Sequence, residues 1–278
     1  MLLRFVSLLA MVLAAIAGLP MGIFEGCTWL WAYPLLAVGV FTLECALIFA
    51  YLMILCKRVD LDAEQECDDS HYRWMAEMLV DGVLPVLRVG LKIQGMEKVP
   101  HQGRFMLVCN HCSLADPIML LQAFRGHQVA FISKKENKNL FVVGPVMHKL
   151  MCQLIDREND REALKTILKC ISLLKEDKVS IGVFPEGYIH PDMKLHHFRP
   201  GVFKIAQKAQ VPIVVCTLKG TRDVLPNMAH YHHSDVEMKV VTVLSVEELA
   251  GRTTTDIAEQ VYEMMAADLG PENVSEED

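Results

Sequence analysis

Phe105-Met106-Leu107-Val108-Cys109-Asn110-His111-Cys112-Ser113-Leu114-Ala115-Asp116-Pro117 is the stretch on which the fold turns. Five apolar residues predict a short buried strand, and Asn110 to Ser113 predict a polar loop at its carboxyl end. Ser113 followed three residues later by Asp116 has capping-box spacing, and Pro117 suits a first helical turn. The same strand-to-helix alternation continues outward. Further strands are predicted at Val89–Gln94, Val129–Ile132, Cys152–Ile155, Val179–Phe184, Ile213–Leu218 and Val236–Val243. Helices are predicted at Pro117–Ala123, Leu140–Leu150, Glu162–Glu176, Gly201–Ala209 and Thr255–Leu269. This alternation implies an α/β fold, a largely parallel mixed sheet covered by helices. Functional groups of such sheets gather at the carboxyl ends of strands.

The first 58 residues differ from the rest. Phe5–Phe24 and Pro34–Cys56 are apolar runs of about 20 residues, the length of a membrane-crossing helix, and Glu44 is their only acidic residue. The break between them, Glu25–Tyr33, carries Trp29, Trp31 and Tyr33 but no Lys or Arg. Arg4, Lys57 and Arg58 flank the outer ends. The expected element is an N-terminal hydrophobic helical hairpin with both ends on the cytoplasmic side of a cell membrane. A signal peptide over 1–20 and a hairpin lying within one leaflet are the competing readings. The predicted organisation is a hairpin at 1–58, a linker and amphipathic helix at 59–87, the α/β domain at 88–270 and an acidic tail at 271–278.

Composition narrows the chemistry. The hydrophobic share of 52% is high for a soluble domain and is concentrated in the hairpin. A formal charge of -7 argues against a nucleic-acid partner. Nine scattered cysteines are too few for a disulfide scaffold in 278 residues and fit a reducing compartment. Cys109 and Cys112 form a CxxC without a second pair, so neither zinc nor redox chemistry is expected and no metal ligands are assigned.

Four motifs end predicted strands. His111 and Asp116 stand five apart; with the histidine in the loop and the carboxylate in the first helical turn, the two make a base and its orienter. Phe184-Pro185-Glu186-Gly187 offers a carboxylate for substrate hydroxyls and a glycine that admits close backbone approach. Ile155-Asp156-Arg157 offers a guanidinium suited to phosphate. Lys134-Lys135-Glu136 adds a basic pair. No G-x-S-x-G nucleophile elbow occurs, which excludes a serine hydrolase of that type.

In this order, with Gly95-Met96-Glu97-Lys98-Val99-Pro100 before them and Phe198-Arg199-Pro200-Gly201 and Val211-Pro212-Ile213-Val214 after them, the motifs resemble the lysophosphatidic acid acyltransferase (1-acyl-sn-glycerol-3-phosphate acyltransferase) family over roughly residues 88–245. The resemblance implies His111 as general base and Asp116 as its orienter, with Arg157, Glu186 and Gly187 on the acceptor. Lys134 and Lys135 are added to the substrate site as a phosphate-binding pair. The implied reaction moves a fatty acyl group from an acyl-CoA or acyl carrier protein thioester, as co-substrate, to the hydroxyl of a lysophospholipid, first of all lysophosphatidic acid. Backbone amides near the start of the catalytic helix are candidate oxyanion donors, which the sequence does not place. No cofactor is implied, and the lipid membrane is the expected partner surface. The family continues FPEG with Thr-Arg-Ser, whereas this chain has Tyr188-Ile189-His190. That removes a cation, leaves Lys194 and Arg199 as substitutes, and keeps open a different lysolipid acceptor. A non-catalytic lipid-binding module is the reading from outside enzymology.

Overall fold

The computed structural model describes residues 2–24, 27 and 29–276. Glu25, Gly26 and Thr28 of the expected break, and Glu277 and Asp278 of the expected tail, lie outside the described residues. The chain divides into two compact units between Asp62 and Ala63.

The first unit holds α1 (Leu2–Gly18) and α2 (Trp29–Lys57), which pack on each other. Val6, Ala10, Ala14 and Gly18 recur every fourth residue on α1 and are buried, and the Tyr33 hydroxyl on α2 donates to the Met11 carbonyl at 2.9 Å. Two equal spans were expected; α1 is the shorter, because Pro20 and the left-handed Gly22 (φ 65°) break the run that was predicted to reach Phe24. At 1.5 Å per residue α1 covers about 26 Å and α2 about 43 Å. Only α2, among the described residues, is long and apolar enough to cross a bilayer. Both carboxylate oxygens of Glu44 are shielded and find no partner among the described residues.

The second unit is the α/β domain. It opens with α3 (Ser70–Val86), whose N-cap Asp69 accepts from the His71 and Tyr72 amides. The buried Arg73 grips Asp68 bidentately at 2.6 and 2.7 Å and reaches the Val129 carbonyl. The acidic stretch read as linker is therefore pinned to the domain at its end. Seven strands follow: β1 (Val89–Gln94), β2 (Met106–Cys109), β3 (Val129–Lys134), β4 (Gln153–Ile155), β5 (Ser180–Val183), β6 (Ile213–Lys219) and β7 (Ser234–Leu244). They lie in the order β1-β7-β6-β2-β5-β3-β4. Every pair is parallel except β6–β7, so β1 and β7 run against the other five and the sheet is mixed, as its alternating pattern predicts. The helices between strands are α4 (Asp116–Ala123), α5 (Val143–Lys149), α6 (Asp160–Lys175), α7 (Lys204–Ala209) and α8 (Val224–Ala229), and α9 (Val246–Leu249) and α10 (Thr254–Leu269) follow β7. Central-strand residues alternate between two cores, Met106 and Val108 on one face, Leu107 and Cys109 on the other. Short, unbroken apolar strands are what a sheet covered on both faces demands. Because β2 to β6 are parallel to one another, the ends of β2, β3, β4, β5 and β6 share one edge. The four motifs all leave that edge.

Candidate active site

The site begins with Asn110, which is fully buried where β2 ends. Its side-chain amide donates to the Leu218 carbonyl (3.0 Å) and accepts from the Leu218 amide (2.8 Å), extending the β2–β6 ladder by one side chain. The backbone is then free to turn, and His111 emerges from the sheet edge with 17% of its side chain exposed. Its Nδ1 lies 2.8 Å from Oδ2 of Asp116, a residue with no exposed surface. The same oxygen accepts the amides of Cys112 (2.7 Å) and Ser113 (2.8 Å). Three donors on one oxygen fix the carboxylate, and the carboxylate fixes the ring. With Nδ1 donating to Asp116, Nε2 is the atom left to take a proton.

The local turn differs from the predicted capping box in one half. Asp116 does take the Ser113 amide, but the Ser113 hydroxyl accepts from Ala115 (3.2 Å) and not from Asp116. Of the backbone amides near the start of this helix, those of Cys112 and Ser113 point inward to Asp116 and so are spent on the carboxylate.

Beneath the imidazole lies an aromatic platform that sequence patterning missed. Phe184 stacks on His111 at 4.1 Å between centroids and 18° between planes. Phe131 lies parallel to Phe184, 6.1 Å away. Gly182 makes room for it, since a Cβ there would sit 2.6 Å from the Phe131 ring. A motif scan reads Phe131 and Gly182 as ordinary strand residues, because only the β3–β5 register brings them together.

Glu186 corrects an expectation. It was assigned to substrate hydroxyls, but it is 2% exposed, and its two oxygens accept the backbone amides of His111 (2.7 Å) and His196 (3.3 Å). It braces the catalytic loop against the segment after FPEG. Burial pushes its carboxyl up to about 8, against the pull of those two amides.

Two arginines come near each other at this edge. Arg157, at the end of β4, has no ion pair among the described residues, and partial burial and the charge of Arg199 lower its pKa. Arg199 is likewise without an acidic partner and lies across Gly187 (φ +92°), where a Cβ would come within 2.9 Å of its Nε. Its amide is tied to the Pro185 carbonyl at 2.9 Å. Two arginines 42 positions apart in sequence are thus brought close enough for the charge of Arg199 to act on Arg157. Lys134 is exposed at the end of β3. Lys135 is paired with Asp156 at 2.7 Å, so its ammonium is already neutralised. Where Thr-Arg-Ser was absent, Tyr188, His190 and His196 form a ring stack with centroid spacings of 4.1 and 3.5 Å. Burial holds the Cys112 thiol up at about 12, which makes the CxxC a poor source of thiolate.

Residues 90–219 match the family model described as Acyltransferase. The 1-acyl-sn-glycerol-3-phosphate acyltransferase of Bacillus subtilis is 30% identical over 151 residues, covering 54% of this chain and 71% of that protein. The chain belongs to this acyltransferase family. A chloroplastic 1-acyl-sn-glycerol-3-phosphate acyltransferase of Brassica napus is 33% identical over 149 residues, 52% of this chain and 42% of that one. A putative 1-acyl-sn-glycerol-3-phosphate acyltransferase of Caenorhabditis elegans is 27% identical over 168 residues, 60% and 58%. The chain thus spans about half the length of these last two curated relatives. The crystal structure of the 1-acyl-sn-glycerophosphate acyltransferase PlsC of Thermotoga maritima superposes with a TM-score of 0.62 at 20% identity, over 82% of this chain and 90% of that one. It shares the fold.

Proposed function

We propose that this family member transfers a fatty acyl group from an acyl thioester to the free hydroxyl of a phosphate-bearing lysoglycerolipid, with lysophosphatidic acid as acceptor and phosphatidic acid as product. The single observation that carries the chemistry is the His111–Asp116 pair, with the carboxylate locked by two backbone amides and Nε2 left for the substrate. The hydroxyl gives its proton to Nε2 as its oxygen attacks the thioester carbonyl. The new ester C–O bond forms, the C–S bond breaks, and the imidazolium returns the proton to the departing thiolate. Asp116 stabilises the imidazolium between those steps. Arg157 and Arg199, close enough for one charge to act on the other and without an ion pair among the described residues, support a phosphate on the acceptor, with Arg199 standing in for the arginine absent after FPEG. Lys134 and Gly187 line the same edge. The apolar α2 supports anchoring in the membrane that holds acceptor and product, and the basic residues flanking the hairpin support a cytoplasmic placement of the catalytic unit.

The test is a donor-by-acceptor matrix. Purified full-length protein in detergent is offered oleoyl-CoA or oleoyl-acyl carrier protein with lysophosphatidic acid, lysophosphatidylcholine, lysophosphatidylglycerol or monoacylglycerol, and products are identified by mass spectrometry. Transfer to lysophosphatidic acid, abolished in His111→Ala and lowered about 10- to 100-fold in kcat/KM by Arg199→Ala, supports the proposal. Equal use of uncharged monoacylglycerol removes the phosphate reading; unchanged transfer in His111→Ala removes the mechanism.

A further inference from the structure

The described residues 188–199 form neither helix nor strand, yet they carry His196, which meets Glu186, and Arg199. Irregular backbone keeps one path only where its polar groups are tied. Three ties are local: the Met193 amide to the His190 carbonyl at 2.9 Å, the Arg199 amide to the Pro185 carbonyl at 2.9 Å, and the His196 amide to Glu186 at 3.3 Å. A fourth comes from beyond α10. The Leu195 amide donates to the Asn273 carbonyl at 2.9 Å, and the Leu195 carbonyl accepts from the Ser275 amide at 3.0 Å. These two bonds make a parallel bridge between Leu195 and Val274. Leu195 has no exposed surface and belongs to the core against which Val274 packs.

The bridging segment is shaped to arrive there. Gly270, at a φ of 85°, turns the chain out of α10, and Pro271–Asn273 form a 3₁₀ turn. The Asn273 side-chain amide holds the Leu269 carbonyl at 2.9 Å. Asn273, Val274 and Ser275 are half-buried, so the stretch read from sequence as an acidic tail is docked as far as Ser275. From Leu195 the connection runs two ways. One residue on, the His196 amide holds one oxygen of Glu186, whose other oxygen holds the His111 amide at 2.7 Å. Four residues on stands Arg199. Asn273, Met193 and Cys112 also line one small cleft, where this segment, the stretch after FPEG and the catalytic loop come together.

We infer that Pro271–Ser275 is a positioning strap for the acyl-transfer site: by holding Leu195 it fixes the Glu186 brace on the His111 loop and the place of Arg199. The strap acts through the stretch after FPEG and not on the reacting atoms. Its effect on turnover rests on the proposed function; its hold on the loop does not.

Hydrogen exchange read by mass spectrometry on the full-length protein tests that hold. In the parent at low urea, peptides covering 192–199 and 271–276 are expected to open together as one unit; independent opening overturns the inference. Ser275→Pro removes the bridging N–H, and Ser275→Ala keeps it. The proline variant is expected to exchange faster at 192–199 and 110–114 with β1 and β7 unchanged, and the alanine variant to match the parent. Faster exchange confined to residues beyond Gly270, spread evenly over the sheet, or equal in both variants overturns the inference. In the activity assay, Ser275→Pro is expected to lower kcat/KM for lysophosphatidic acid about 3- to 10-fold, the worth of one hydrogen bond, with the KM for the acyl thioester unchanged. No loss, or a matching rise in the thioester KM, overturns the inference. A parent protein without acyl transfer overturns the proposed function and leaves the exchange pattern to decide.

Discussion

Asp116→Asn separates the charge of the proposed dyad from its geometry. Oδ2 of Asp116 receives three hydrogen bonds, two of them from the backbone amides of Cys112 and Ser113. An asparagine placed here keeps its carbonyl oxygen at that position, because turning the NH2 inward would face it with two N–H donors. The NH2 then occupies the Oδ1 site, which has no partner among the described residues. The His111 ring keeps its orientation and its Nδ1 proton; what it loses is the negative charge beside the imidazolium. Unit charges about 4 Å apart at an effective dielectric near 20 interact by about 4 kcal/mol. At 1.36 kcal/mol per decade, that is about a thousand-fold in kcat. The three existing donors keep their acceptor, but the new NH2 finds none among the described residues at the buried Oδ1 site, so stability should fall by about 1–3 kcal/mol. Asp116→Ala, by contrast, strips two buried amides of their acceptor and should lower stability by about 2–5 kcal/mol besides removing activity. The assay is kcat at saturating acceptor, with product counted by mass spectrometry, alongside thermal unfolding followed by circular dichroism. A folded Asp116→Asn enzyme within ten-fold of the parent would refute the electrostatic role assigned to Asp116.

Other expectations follow from groups that hold the site in place. Glu186 binds its proton more tightly folded than unfolded, so between about pH 4.5 and 8 this group makes the folded state lose stability as pH rises, by roughly 1.4 kcal/mol per unit; Glu186→Gln should flatten that part of the stability–pH curve, and an unchanged slope in the variant would contradict the assignment. Asn110→Leu orphans the amide and carbonyl of Leu218 and should cost about 2–5 kcal/mol in chemical unfolding. Asp68→Ala leaves the buried Arg73 unpaired, at about 3–5 kcal/mol, whereas Asp68→Leu/Arg73→Met should recover most of the loss; a double variant as unstable as the single would refute the pairing argument.

The strands were legible because each is a short apolar run bounded by a polar motif, and the β1 bounds, Val89–Gln94, are those predicted. Helices with an amphipathic face and a side-chain cap were legible too: α10, capped by Thr253, begins one residue before its predicted start. Shorter elements were not. α8 and α9, at six and four residues, are too brief for a helical period to register. At the site, His111 and Asp116 could be paired because five residues of loop and first turn decide their geometry. Arg157 and Arg199 could not, because their approach depends on the order of β4, β3 and β5 in the sheet and on the path after FPEG. Glu186 shows a different failure. Its motif marks it as polar and near the site, but whether such a carboxylate faces substrate or backbone depends on which amides the fold leaves unpaired.

On the proposed reading, the same distinction bears on the arginine expected after FPEG and absent here. At physiological salt a charge is felt over about 8 Å, so neither the formal charge of -7 nor the identity of one motif position decides whether a phosphate is held. What decides it is the number of unneutralised cations within that radius of the acceptor. Lys135 does not count, since Asp156 has already matched it. Arg157 and Arg199 do count: neither has an ion pair among the described residues, and burial and the charge of Arg199 lower the pKa of Arg157 against the opposing charge of Glu136. A pair of guanidiniums that repel each other when empty gains most from an anion that bridges them. On the proposed reading, Arg157 and Arg199 take the acceptor phosphate in place of an arginine after FPEG, and the positions of that missing motif hold a stacked Tyr188–His190 pair instead.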